Sequence, residues 1–422
     1  MGTMRCSRFP GLSCGRIGVP IGGPQHTPAA REAVDAMDDF AVPQARRLPA
    51  REDFGRMPFV SREAAASWPA TRLWTADYLA RSVADEDVRV QLSKDGAFGV
   101  RSGPIKLAGS ALASVLRQRS PYIDGKRWYL QQTSISEGPF AGLRGDIPMI
   151  EAIDPAMLIS QNLWVGPAGN ATVLHFDISN NLFVQIAGQK RFSLFEPSAT
   201  PRLAFGRPNT KAAHFSMFDV RAPDYDRFPA ASGVRRYVCV LSAGDILYFP
   251  AFWPHFVETI QDSVSLNTWW RPDFAQCDPE MLRTLLSGNA YYYRIDSLRG
   301  KFNCGPIPEL PRRLLDANAV GAAVVASGAV LIYALVKACH LAGITPEPRV
   351  NGESDLAAAV QRVRPGLPLG ELEALQQQAR QVRLRKGEMS AADAEALVSA
   401  TERLAASCLA DVLGPLREEE MS

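Results

Sequence analysis

Between residues 127 and 270 the chain runs through short stretches of alternating apolar and polar residues, each closed by glycine, asparagine or proline. They cover 127–133, 162–165, 171–178, 182–186, 191–195, 237–241, 246–249, 256–260 and 264–270. A period of two places every second side chain on one face, the mark of a half-buried strand. So many short strands at close spacing predict a mainly β core, a sandwich or barrel of the jelly-roll kind. Between 197 and 236 the alternation lapses into a loop-rich insertion, and a long loop on a rigid barrel is a usual place for substrate contact.

The flanks read differently. Residues 1–50 hold no acidic residue before Glu32 and no apolar run, which excludes a secretory signal and predicts a disordered tail. A mitochondrial transit peptide is the lesser reading of that composition, and Cys6 stands where a myristoylation site needs Ser or Thr. Residues 51–125 predict an α/β lead-in, with strands at 57–60 and 88–93 and a helix from Thr75 as N-cap. The barrel occupies 126–272. A helical extension, 273–345, holds the uncharged stretch 319–336, which reaches the lower limit for a membrane span. It is rich in Ala and Gly, so a buried or dimer-forming helix is preferred and a membrane helix is the rival. Residues 346–422 predict amphipathic helices without recognisable chemistry.

A formal net charge of +2 gives no electrostatic reason to expect nucleic-acid binding. Seven cysteines without a Cys-x-x-Cys pair argue against a zinc site or a disulfide framework and fit a reducing compartment. Cytoplasm or nucleus is expected, with a mitochondrial or membrane-associated setting as the alternative.

Of five histidines, two fall where a metal site needs them. His175 and Asp177 are two apart in a predicted strand, so both point one way and Phe176 points the other. They are two thirds of the two-His-one-carboxylate set that holds Fe(II) with open positions. A third ligand is offered by His255, which closes Trp253-Pro254-His255 after the apolar strand at 246–249. His-x-Asp alone arises often by chance, and the surroundings carry the reading. Lys190 opens the next strand just after Gly188, and a lone lysine facing a barrel interior is costly without an anion. 2-Oxoglutarate supplies one, chelating iron through its keto acid and offering its far carboxylate to a cation and hydroxyls. Thr172 and Tyr129 could provide those hydroxyls. Asn181 and Asn267 are amides flanked by apolar residues, for which turn and ladder hydrogen bonding is the plain alternative.

These pieces carry a family resemblance. They include Trp128-Tyr-Leu-Gln-Gln132, Asn170-Ala-Thr-Val-Leu-His-Phe-Asp177, Asn181 to Arg191, Gly244 to Pro250, Trp253-Pro-His255 and Asn267-Thr-Trp-Trp270. The stretch from about 127 to 272 resembles the JmjC/cupin-8 group of Fe(II)- and 2-oxoglutarate-dependent oxygenases. Within that group it is most similar to the factor-inhibiting-HIF type of asparaginyl hydroxylase. The resemblance implies a double-stranded β-helix core with iron ligands His175, Asp177 and His255. It implies a 2-oxoglutarate clamp of Lys190, Tyr129 and Thr172, with Asn181 and Asn267 lining the cosubstrate pocket. Gln131 and Trp269 fall where that hydroxylase meets its substrate.

The implied reaction consumes O2, releases succinate and CO2, and hydroxylates a side-chain carbon of a protein or peptide. Rivals are hydroxylation of a wybutosine-type base in transfer RNA, N-methyl-lysine demethylation, and a non-enzymatic cupin scaffold. By analogy with the group, a homodimer through the C-terminal helices is expected. Two departures stand out: Pro254 precedes the distal histidine where the group often has an aromatic, and the match fades in 198–222 and beyond 280.

Overall fold

The computed structural model describes residues 37–45, 47–83, 86–206, 212–288, 294–343, 361–362, 365–384 and 389–409. The expectations for residues 1–36 and for most of 344–368 and 410–422 lie outside the described residues.

The chain enters through short strands β1 (Asp38–Ala41), β2 (Gln44–Ala45) and β3 (Phe59–Ser61) and two short helices, α1 (Pro69–Leu73) and α2 (Ala76–Ser82). Thr75 caps α2 as its sequence predicts, its hydroxyl accepting from the Tyr78 amide at 3.2 Å. Strands β4 (Asp87–Ser93), β5 (Ala97–Phe98) and β6 (Gly103–Ala108), helix α3 (Gly109–Gln118) and strand β7 (Tyr122–Ile123) complete the lead-in. The barrel strands follow. They are β8 (Lys126–Ser134), β9 (Leu158–Gly166), β10 (Ala171–His175), β11 (Asn180–Ala187) and β12 (Lys190–Leu194). After the insertion come β13 (Arg235–Leu241), β14 (Ile246–Phe249), β15 (His255–Thr259) and β16 (Ser263–Trp270).

Two sheets result, one ordered β1-β13-β12-β15-β10-β5 and the other β2-β3-β14-β11-β16-β9-β8-β4-β6. The jelly-roll expectation holds. Phe183 from the larger sheet and Phe192 and Val257 from the smaller meet in one buried cluster, with Phe249 and Trp253 beside them. Burying each of those phenylalanines stabilises by on the order of 2 kcal/mol. The β11–β12 turn depends on Gly188. Its φ is +72°, and a Cβ there would lie 2.0 Å from the Asp262 carbonyl oxygen.

Residues 37–45 are not part of a disordered tail: β1 runs parallel to β13 and β2 parallel to β3. Backbone pairing at a sheet edge needs no side-chain pattern, so it left no trace in the sequence. Arg236 fixes the edge through two 2.7 Å hydrogen bonds to Asp39.

After the barrel come α4 (Pro279–Leu286), α5 (Leu310–Asp316), α6 (Val320–Leu341), α7 (Leu369–Arg383) and α8 (Ala391–Leu409). Helix α6 is long and apolar enough to cross a membrane, yet 83% of its most apolar window is buried inside the chain. Its residues share one buried cluster with residues of α4, α5, α7 and α8. That cluster extends to Ala251 and Phe252, in the turn before His255.

Candidate metal centre

His175 is the last residue of β10 and His255 the first of β15, and the two are paired across the ladder. Asp177 lies beyond the strand. Pairing stops at His175 because the insertion captures the chain there: the Phe176 amide donates to the His214 carbonyl at 3.0 Å. Strand alternation therefore does not aim Asp177; the loop does. The Phe252 amide holds that loop with a 2.7 Å bond to the Asp177 carbonyl. Phe252 has φ +67°, a conformation a bulky residue keeps only under outside constraint. Its ring is 1% exposed, between Phe176 and Phe302, so the helical extension braces the turn of the distal histidine.

One potential ligand atom from each of His175, Asp177 and His255 lies within 4.8 Å of the others. The imidazole centroids are 4.1 Å apart, and His255 Nε2 is 3.8 Å from Asp177 Oδ2. Each histidine places Nδ1 on a carbonyl, His175 on Val173 at 2.8 Å and His255 on Trp253 at 2.9 Å. Since a carbonyl only accepts, Nδ1 carries the proton and Nε2 keeps its lone pair for a metal. Burial, with the His175 charge adding to it, drives His255 well below the usual imidazole range. Burial also raises the Asp177 carboxyl, against the pull of His175 and His214. Two imidazoles presenting Nε2 and a carboxylate that a cation would keep ionised fit a divalent transition metal.

A cavity opens from these ligands between the sheets. It is lined by Tyr129, Thr172, Asn181, Lys190, Asn267 and Trp269, which the sequence singled out. Lys190 is 1% exposed and donates to the Tyr129 hydroxyl. No carboxylate among the described residues pairs with it, and burial lowers its pKa to about 7. Burial also raises the Tyr129 phenol, against a hydrogen bond from Thr259. The Tyr129 ring lies against Gly166, where a Cβ would come within 2.6 Å of it.

Two wall residues went unread in the sequence. Trp164 Nε1 and Asn162 Nδ2 both donate to Asn267 Oδ1, at 2.8 and 3.2 Å, and Asn267 Nδ2 reaches Asn181 Oδ1 at 3.4 Å. The Asn162–Trp164 alternation in β9 was the available signal. Gln131 does not line the cavity; Gln132 does. The β8–β9 register slips between Leu130 and Thr133, and Gln132 takes φ +50°. This bulge re-aims the side chain by one position. The Trp269 indole N–H is buried without a partner among the described residues, an open donor on the cavity wall.

The cupin-like domain family matches residues 53–276. The chain belongs to that family. Among known proteins it is 27% identical over 226 residues to tRNA wybutosine-synthesizing protein 5 of Gallus gallus, covering 50% of this chain and 69% of that protein. It is 27% identical over 271 residues to the human bifunctional peptidase and (3S)-lysyl hydroxylase JMJD7, covering 56% and 85%. A third relative is lysine-specific demethylase JMJ30 of Arabidopsis thaliana, 29% identical over 228 residues, covering 50% and 49%. These relatives carry the names of a transfer-RNA wybutosine-synthesizing protein, a lysyl hydroxylase and a lysine-specific demethylase.

Proposed function

We propose that this cupin-like protein is an Fe(II)- and 2-oxoglutarate-dependent oxygenase that hydroxylates a side-chain carbon of a protein. The observation that carries the reading is one cavity joining a two-His-one-carboxylate cluster to a buried lysine with no anionic partner. His175, Asp177 and His255 would hold the metal. Lys190, with Tyr129 and Thr172, would hold the far carboxylate of 2-oxoglutarate.

Iron with 2-oxoglutarate and O2 supplies oxidative chemistry that leaves a hydroxyl on the substrate and releases succinate and CO2. The chain's own contribution is positioning. The Asn162–Trp164–Asn267–Asn181 network fixes amide dipoles along one wall, and Phe183, Phe192 and Phe249 keep water from the cavity floor. Trp269 offers its unpaired N–H to a substrate carbonyl, with Gln132 across the mouth.

Exposed apolar side chains support a polypeptide substrate. Leu158 and Ile159, at the end of β9 beside Trp269 and Trp270, are each 39% exposed, and Met217 in the insertion is 63% exposed. Arg144 and Arg271, on the segments flanking that end, donate to the Ile147, Arg299 and Ala156 carbonyls. That spends basic groups a phosphate backbone would need. The wybutosine relative supports a second reading, transfer-RNA base hydroxylation, served by the same site.

The test is anaerobic binding of Fe(II) and 2-oxoglutarate, then succinate release on admitting O2, for wild type and His175→Ala. Turnover lost in the variant supports the oxygenase. Absence of metal binding in the wild type would leave the scaffold reading instead. Hydroxylation of a peptide library, set against unmodified transfer RNA, decides between the two substrates.

A further inference from the structure

We infer that the protein carries a second binding site, behind the larger sheet, for a small amphipathic carboxylate. A cleft of about 320 Å³ lies between helices α1–α3 and the ends of β9, β11 and β16. Strand β11 joins it to the metal centre: Asn181 lines the metal cavity and Ala187 the rear cleft. The two lie back to back across the sheet where β8 passes between them: Trp128 lines the cleft and the next residue, Tyr129, the metal cavity.

The chemistry of the walls selects the ligand. Trp74, Leu79, Leu116, Trp128 and Val264 give the cleft an apolar lining. Its polar side chains are mostly engaged already. Trp74 Nε1 donates to Asp146 at 2.8 Å and Trp128 Nε1 to the Ser120 carbonyl at 2.7 Å, so both indoles present ring surface. The Thr71 and Ser120 hydroxyls donate to the Ala65 and Tyr122 carbonyls. Asp262, on the sheet side, accepts from the Ala168 amide at 2.9 Å.

Two cations on the helical side are different. Arg72 near the end of α1 and Arg119 at the C-cap of α3 both line the cleft, and neither guanidinium has a hydrogen bond or ion pair among the described residues. Arg119 also occupies φ +51°, where glycine would be unstrained. An apolar pocket edged by two free guanidinium forks suits an apolar body ending in a carboxylate, which such forks bind bidentately. The volume is right for a molecule of drug size. Residues 1–31 hold no carboxylate and do not complement the arginines.

The experiment is calorimetric titration of the full chain with octanoate and with 1-octanol, for wild type, Arg72→Ala/Arg119→Ala, Arg72→Lys/Arg119→Lys and Lys190→Met. The expected result is one octanoate per chain, 1-octanol at least tenfold weaker, and octanoate weakened about tenfold or more in the double alanine variant. The double lysine variant should recover part of the loss, and Lys190→Met should bind octanoate as wild type does. Four results would overturn the assignment: no octanoate binding, equal binding of octanoate and 1-octanol, an unaffected double alanine variant, or loss in Lys190→Met. The last would place the carboxylate in the metal cavity. Removing residues 410–422, which include Glu418, Glu419 and Glu420, covers a further case. Binding seen only after that truncation would assign the cleft to the chain's own acidic end and likewise overturn the small-ligand reading.

Discussion

The barrel interior and the core of the C-terminal helices are both closed to water, yet they are filled with opposite chemistry. Around α6 the enclosed residues are almost wholly apolar, and Ser327 returns its hydroxyl to the Ala323 carbonyl at 3.0 Å. Inside the barrel lie Lys190, Asn162, Asn181, Asn267, Gln185 and His255, all buried. Burying a polar group costs free energy unless it is paired, and among the described residues Lys190 has only a phenol for a partner. The helices stabilise; the barrel gives up stability to hold a site. They meet at Phe252 and Phe302, where helical packing supports the turn that carries His255.

Substitutions can break this contrast, beginning with the proposed metal ligands. His175→Ala or Asp177→Ala should lower succinate release by about a thousandfold or more, as removal of a first-row metal's ligand does. Thermal unfolding should shift little. A large loss of stability in these variants would make the cluster structural.

Leu331→Ala in the middle of α6 should do the reverse. Truncating a leucine 1% exposed costs about 2–5 kcal/mol, read by denaturant unfolding, with turnover per folded molecule unchanged. Changed turnover at full folding would show that the helices tune the site.

Lys190→Met sharpens the comparison most. It removes a buried cation, so the ligand-free protein should gain about 1–4 kcal/mol, while 2-oxoglutarate affinity falls about a hundredfold. In the wild type the lysine is lowered to about 7 when folded and titrates near its ordinary value when unfolded. Between those values the unfolded chain binds the extra proton. The stability of the ligand-free protein should therefore rise with pH from about 7 upward, and stop doing so in Lys190→Met. Affinity for 2-oxoglutarate should move oppositely, strongest below pH 7 and weakening above it, as calorimetry at several pH values would show. The smallest effect is expected at Thr75→Ala, where loss of the α2 cap costs about 1 kcal/mol by thermal unfolding and leaves turnover alone.

Much of the site was legible because it is written locally. His-x-Asp, Gly-x-Lys and Trp-Pro-His each lie within a few residues, and the strand pattern around them gives the barrel its period. Gln131 was misread because a bulge is an event between two strands, invisible in either strand alone. The aim of Asp177 was misattributed for a related reason: its loop is held by His214 and Phe252, distant in sequence.

By itself the sequence determined the strand period, the jelly-roll class, the candidate His–Asp–His set and the helical nature of the C-terminal region, because these follow from side-chain chemistry repeated at short spacing. Only the tertiary structure decided that residues 37–45 extend the sheets, that Gln132 rather than Gln131 faces the cavity, and that α6 is wrapped by its own chain. It also decided that Arg72 and Arg119 share a cleft with Trp74 and Trp128. These are long-range matters: they rest on backbone pairing, bulges and the approach of remote surfaces, whose energies depend on partners that no local window contains.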